Sequence, residues 1–259
     1  MVAVRPRVIP VVLLKDRYVV KTTAYRKPSY VGDPINTVKL FNEKGADELV
    51  MLDIAAGRTA ASTDFRFVEE IVSEAFMPIA YGGGVRTAEE ARRLLSLGVE
   101  KVVLNTALFD TPRVVEQVAG EQGAQAVVAS IDVGQTRFMR RMTVLRDGGR
   151  RATNLDAVSW AVELERRGAG EILLTSVPRE GSRRGYDLDL VRSIAEAVSV
   201  PVVAHGGAGS LQHLREVVDA GASAAAAAGL FVFHGDRRAV LITYPGEADL
   251  RTTFDGVHS

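Results

Sequence analysis

Eight short apolar runs punctuate the 259-residue chain, at 8–14, 48–52, 78–81, 101–104, 126–131, 171–174, 201–205 and 223–228. Helical patterns about ten to fifteen residues long separate them, the signature of βα units on a parallel sheet. Eight such units in about 250 residues fit a closed (β/α)8 barrel better than an open sheet. The expected class is therefore α/β, with 1–259 as a single (β/α)8 barrel domain. The chain also repeats itself. Gly83-Gly84 through Ala91, Leu94, Leu95 and Gly98 matches Gly206-Gly207 through Leu214, Val217, Val218 and Gly221. The spacing, Gly83 to Gly206, also relates Glu48 to Glu171. Two half-barrels, about 1–123 and 124–259, related by duplication are the simplest explanation.

Local signals refine the layout. Gly32-Asp33-Pro34 and Asp110-Thr111-Pro112 each set a capping carboxylate before a proline suited to the first helical position. The Ala-rich stretch 222–228 is helix-prone by propensity, yet it fills the eighth strand slot and ends at Gly229, so a strand is expected. Residues 134–154 form an insertion after strand five. There Thr143-Val144-Leu145 followed by Asp147-Gly148-Gly149 suggests a small hairpin. Beyond Phe233 the glycines and Pro245 predict a short or irregular last helix.

Composition narrows the chemistry. With 32 basic against 32 acidic side chains, the chain lacks the basic excess of a nucleic-acid binder. No apolar run reaches the roughly 18 residues of a membrane span, and the N-terminus lacks a signal-peptide cleavage site, so a cytoplasmic protein is expected. There is no cysteine, which removes disulfides, thiolate ligands and a thiol nucleophile. His205, His213, His234 and His258 show no close ligand spacing, so neither a metal nor another cofactor is expected.

A barrel of this kind places its site at the C-terminal ends of the strands. Strand three ends in Tyr81-Gly82-Gly83-Gly84 and strand four in Asn105-Thr106. Their counterparts are His205-Gly206-Gly207-Ala208-Gly209 and Ala228-Gly229. Such glycines let backbone N–H groups approach phosphate oxygens, although they also serve simply to turn a chain into a helix. Two motifs at symmetric positions favour phosphate, and a ligand with a phosphate at each end. Asp53 and Asp132 are the carboxylates at strand ends, candidates for proton transfer. Either could instead bond a loop, Asp53 the more readily. Leu13 stands on strand one where the other half has Asp132, and a leucine cannot carry a proton. At the opposite end Arg7, Glu48, Lys101 and Glu171 open their strands at alternating positions around the ring. They are either solvated rim residues or a neutral ring across the barrel floor.

Several segments resemble the HisF family, the cyclase subunit of imidazole glycerol phosphate synthase. They are Gly45-Ala46-Asp47-Glu48-Leu49-Val50-Met51-Leu52-Asp53-Ile54, Tyr81-Gly82-Gly83-Gly84, Glu100-Lys101-Val102 with Asn105-Thr106-Ala107, Arg167 through Ser176, and Gly206-Gly207-Ala208-Gly209. The resemblance implies a bisphosphate ligand and a separate glutaminase docked on the floor, near Glu100. Ammonia would then travel through the barrel past a gate of Arg7, Glu48, Lys101 and Glu171. The family's phosphate contacts fall on Gly83, Gly84, Asn105 and Thr106 in one half. In the other they fall on Glu180, Gly181, Gly206, Gly207, Ala228 and Gly229. The departures are equally marked. The family's two catalytic aspartates correspond to Asp132 and to Leu13, and loss of one member of such a pair typically removes about two to four orders of magnitude in rate. A family Asp-Arg-Asp-Gly turn is here Pro178-Arg179-Glu180-Gly181, and Gly229 stands where the cyclase usually has serine. Without the first aspartate, Lys21, Asp53 or Asp132 alone would carry any proton transfer. His205, at the mouth of strand seven, is read first as a hydrogen-bonded structural residue.

A branch of the family resembles the chain further, in Tyr30-Val31-Gly32-Asp33-Pro34-Ile35-Asn36, Leu40-Phe41-Asn42-Glu43-Lys44, Tyr186-Asp187-Leu188 and Phe233-His234-Gly235 through Tyr244-Pro245. That branch serves acetamidino modification of nucleotide sugars in polysaccharide biosynthesis. It implies an ammonia conduit feeding an ATP-using amidotransferase. The authentic cyclase and a non-catalytic activator of the glutaminase are the alternatives.

Overall fold

A computed structural model describes residues 5–56, 63–135, 142–235 and 239–256. His258, Arg238 and the middle of the 134–154 insertion lie outside the described residues. The eight barrel strands are Arg7–Lys15, Leu49–Asp53, Ile79–Gly82, Lys101–Leu104, Val127–Gln135, Glu171–Ser176, Val202–His205 and Ala224–Ala227. All pair in parallel with their neighbours. Strand one bonds both strand two, with Val11 opposite Val50, and strand eight, with Arg7 opposite Ala224, which closes the barrel. The Ala-rich run is a strand, as expected, because closure supplies both its hydrogen-bonding edges.

Helices cover the outside. Phe65–Val72 buries Phe67, Val68 and Ile71, residues spaced to form one apolar stripe, and Asp64 caps it by accepting from the Phe67 N–H. The core lies on both sides of the closed sheet. Outward strand residues such as Met51, Tyr81 and Leu104 pack under the helices. Inward residues, among them Ile9, Val11, Val50, Ala80, Val103, Val128, Leu173 and Ala226, fill the barrel.

The sequence spacing reappears in the elements. Phe65–Val72 is matched by Leu188–Ala195, Ile79–Gly82 by Val202–His205, Ala88–Ser96 by Leu211–Asp219 and Lys101–Leu104 by Ala224–Ala227. Caps match too, with Asp64 paired to Asp187 and Thr87 to Ser210. Gly83 and Gly206 have φ of +123° and +95°. A Cβ there would sit 2.5 Å from the Asp53 carbonyl oxygen and 2.7 Å from that of Ser176, so only glycine fits either turn.

Three features differ from or extend the sequence reading. Asp110 caps no helix: it ends the short helix Ala107–Asp110 and pairs with Arg146 at 2.7 Å, while Arg113–Gln122 follows Pro112 without a side-chain cap. Strand five runs on to Gln135 and pairs antiparallel with Met142–Arg146, which pairs in turn with Arg151–Ala152. A two-stranded ribbon, Tyr18–Thr23 and Arg26–Gly32, rises from strand one. Its second strand is exposed along most of its length, so no apolar alternation announces it. Asp33 does cap Pro34–Glu43, accepting from the Asn36 N–H at 2.9 Å. The last helix, Glu247–Thr253, is short.

Candidate functional site

The mouth of the barrel holds a cavity of about 130 Å³ lined by Leu13, Asp53, Gly82–Gly84, Asn105, Thr106, Ser130 and Asp132, with Thr22 and Tyr25 from the ribbon. Asp132 is its chemical centre. The pleat turns every second residue of strand five inward, so Val128, Ser130 and Asp132 face the axis. The Tyr25 hydroxyl donates to Asp132 Oδ1 at 2.7 Å, and Asn105 Nδ2 donates to Oδ2 at 3.2 Å. Burial pushes the Asp132 carboxyl up to about 6, against these two hydrogen bonds, which hold it down. Burial, then the adjacent Asp132, raises the Tyr25 phenol well above its usual range, which keeps it a neutral donor. A carboxyl near 6 is poised to exchange a proton close to neutral pH.

Leu13 occupies the place equivalent to Asp132: it pairs with Leu52 as Asp132 pairs with Thr175, and it is these partners, Leu52 and Thr175, that stand at the spacing relating Glu48 to Glu171. It is buried in the cavity wall. Asp53 lies in the same cavity but is engaged locally, accepting from the Ala55 and Ala56 N–H groups at 2.8 and 3.1 Å. Burial still raises its carboxyl.

Lys21 is not beside Asp132. It faces a second cavity, with Glu180, Gly181, His205, Gly206, Gly207, Ala228 and Gly229, that has only about 10 Å³ of free space. Lys21 Nζ donates to Glu180 Oε1, and both side chains are buried. Glu180 Oε2 also accepts from the Tyr25 N–H at 3.1 Å. His205 lies within 3.3 Å of the Thr175 hydroxyl and is pushed down to about 3 by burial and then by Lys21, so it is neutral. The predicted phosphate residues thus fall into two groups, one around each cavity. Tyr25 escaped the sequence reading. Its one signal in the sequence was an aromatic side chain in the short turn Ala24-Tyr25.

At the opposite end the four charged residues meet. Arg7 donates to Glu48 and to Glu171, while Lys101 lies 3.0 Å from Glu48 and 2.8 Å from Glu171. Arg7, Lys101 and Glu171 open strands one, four and six, Glu48 immediately precedes strand two, and the four alternate in sign. The carboxylates are buried, Lys101 is mostly covered, and the Arg7 side chain is 33% exposed. Four opposite-charge contacts close a neutral ring over the floor. Beside it Arg5 makes a forked pair with Asp47 at 2.6 and 2.8 Å, Asp47 accepts the Val8 N–H, and the Tyr244 hydroxyl donates to the Val8 carbonyl.

Among the described residues no group of three or more His, Asp or Glu side chains could hold a metal ion. No helix of the described residues is long and apolar enough to cross a membrane.

Closed parallel barrel, cavity at the strand C-termini and charged floor together define a (β/α)8 barrel protein. The profile of the family described as "Histidine biosynthesis protein" matches residues 7–237. A protein of Pseudomonas aeruginosa named "Putative imidazole glycerol phosphate synthase subunit hisF2" is 47% identical over 93% of this chain and 96% of its own. The correspondingly named hisF3 of Vibrio vulnificus is 40% identical over 97% of each chain. A HisF-named relative in Leptospira interrogans is 40% identical over 96% of this chain and 99% of its own. The chain belongs to the HisF family of histidine-biosynthesis barrels.

Proposed function

We propose that this chain is the barrel subunit of a glutamine-dependent amidotransferase complex. A partner glutaminase of the HisH type docks on the floor beside Glu100 and Lys101 and releases ammonia into the barrel. The gate of Arg7, Glu48, Lys101 and Glu171 admits it, and the chain passes it on with little cyclase activity of its own. The destination we favour is an ATP-using amidotransferase that builds the acetamidino group of a nucleotide sugar in polysaccharide biosynthesis.

One observation carries this reading: the four-membered charge ring is kept, while Leu13 fills the slot equivalent to Asp132. The apolar interior above the ring, with Val11, Val50, Ala80, Val103 and Val128, suits neutral ammonia and disfavours ammonium, which would lose its hydration there. The same cavity supports a second reading, an authentic cyclase. The Asp132 carboxyl near 6, backed by Tyr25 and Asn105, could carry proton transfer alone. A third reading, activation of the glutaminase without chemistry, would need only the floor.

The deciding experiment supplies the purified chain with the family's bisphosphate aminoimidazole-carboxamide substrate and abundant ammonium, beside Leu13→Asp. No turnover by the native chain, with activity in Leu13→Asp, supports the conduit. Robust native turnover sinks it and establishes the cyclase. Adding the HisH-type partner and glutamine then separates conduit from activator, because only a conduit loses coupled ammonia delivery when the ring is altered while glutamine hydrolysis persists.

A further inference from the structure

We infer that Phe76, on the turn leading into strand three, is the anchor by which the partner glutaminase grips the barrel floor, seated in an apolar pocket of that partner. The inference rests on the docking reading above and names the side chain that carries most of the binding.

Phe76 is 92% exposed, more than any other large apolar side chain of the described residues. Exposure alone would say little, since single apolar side chains dot most surfaces. What sets Phe76 apart is how firmly its backbone is held. Asn42 clamps the turn from both sides: its Nδ2 donates to the Glu74 carbonyl at 2.6 Å, and its Oδ1 accepts from the Phe76 N–H at 3.0 Å. The Glu74 and Ala75 N–H groups bond back to the Ile71 and Val72 carbonyls, and Lys39 pairs with the Glu74 carboxylate at 3.3 Å. An aromatic ring thus stands in water on a fixed stem, which spares a partner the entropy of ordering the turn. Its place ties it to the charged floor. The Pro78 carbonyl accepts from the Leu49 N–H at 2.9 Å, next to Glu48, and the Ile79 carbonyl accepts from the Glu100 N–H at 2.9 Å, next to Lys101. Phe76 therefore belongs to the floor side of strand three, between the strands that bring Glu48 and Lys101 to the ring. Ammonia entering through that ring needs a source sealed on the same face. Glu43, Lys44 and Ser73 are exposed on the elements that Asn42 joins, so the apolar surface is one ring within a polar rim. That is too little for a second copy of the chain to bury in a stable dimer, and it is the pattern of a single aromatic anchor entering a pocket.

The test titrates the native chain and Phe76→Ala with each HisH-type glutaminase of the same organism, by calorimetry. The native chain should bind one of them, and Phe76→Ala should bind it at least about thirtyfold more weakly. The Tm of Phe76→Ala should stay within about 2 °C of the native value, because the side chain is almost wholly in water. Tyr30→Ala removes an aromatic ring 64% exposed at the opposite end of the barrel and should bind as the native chain does. Asn42→Ala should weaken binding in the native background and add nothing to Phe76→Ala, since the clamp acts only through the ring it positions. A glutaminase that binds Phe76→Ala as tightly as the native chain would overturn the inference and leave the docking reading standing. Absence of binding by the native chain would overturn both. A native chain that dimerises by sedimentation equilibrium, with Phe76→Ala monomeric, would assign the ring to a second copy and overturn the inference alone.

Discussion

Removal of Lys101 is the sharpest probe of the floor. In the native chain Glu48 and Glu171 each contact both Arg7 and Lys101. Lys101→Met deletes two of these four contacts and leaves two buried carboxylates sharing one guanidinium. The floor then carries a net negative charge in a place water barely reaches. Breaking a fully buried pair costs about 3–5 kcal/mol. Arg7 remains and is partly solvated, so the lower end applies, about 3 kcal/mol. For a chain of this size each kcal/mol lowers Tm by roughly 2–4 °C, which gives a drop of roughly 6–12 °C. Thermal unfolding followed by circular dichroism would measure it, and added salt should change the loss little because the carboxylates are covered. A second substitution refines the test. Lys101→Met with Glu171→Gln restores neutrality, and should recover at least half the loss if the ring acts as a unit. A Lys101→Met variant that melts within about 1 °C of the native chain would refute the reasoning. So would a double variant that merely adds a second loss. Either result would return the four residues to the status of solvated rim charges.

Three further outcomes follow from the mouth and its turns. The Asp132 carboxyl is near 6 when folded and near 3.9 when unfolded, so it weakens the fold as pH rises through about 4 to 6 and fully above that window. Asp132→Asn should therefore be more stable than the native chain at pH 8 by about 2 kcal/mol, with the advantage vanishing near pH 4; denaturant unfolding at both pH values would decide. Tyr25→Phe removes a charge-assisted hydrogen bond and should raise the Asp132 carboxyl by about one unit, readable from the pH dependence of its carboxyl carbon resonance; an unchanged midpoint would mean the hydroxyl does not hold the charged form. Gly207→Ala would bring Cβ within 2.0 Å of the Gly185 carbonyl oxygen at φ +118°, whereas Gly45→Ala at φ +70° meets open space. The first should cost at least about 3 kcal/mol and the second about 1 kcal/mol, and equal losses in unfolding free energy would contradict the packing account.

The frame was legible because its signals are local and repeated. All eight strands fall within a few residues of the apolar runs, and the Glu48–Glu171 spacing recurs in element bounds and caps. Leu13 and Asp132 could be matched from sequence because strand register is fixed by the barrel's two-sided burial. The ribbon was not legible, since Arg26–Gly32 turns polar side chains to both faces and relies on backbone pairing to Tyr18–Thr23. Tyr25 followed it into obscurity, because its contact with Asp132 spans more than one hundred positions and depends on how the ribbon turn folds over the mouth. Lys21 is, from sequence, one substitute proton carrier should the chain be a cyclase, and the ribbon sets it against Glu180. Asp110 read as a cap from composition alone, and an arginine from the insertion claimed it.

The charged floor also breaks the likeness between the two halves of the barrel. The residue equivalent to Lys101 is Ala224, and Arg7, which pairs with Ala224, finds no cation at the matching opening of strand five. Only glutamate recurs, as Glu48 and Glu171. A symmetric protein assembled from two copies of the first half would crowd four cations around two carboxylates. Two copies of the second half would leave two carboxylates with no cation. Neither floor is neutral, so neither half can stand in for the other, and any attempt to rebuild the barrel from one half must redesign its floor before its mouth.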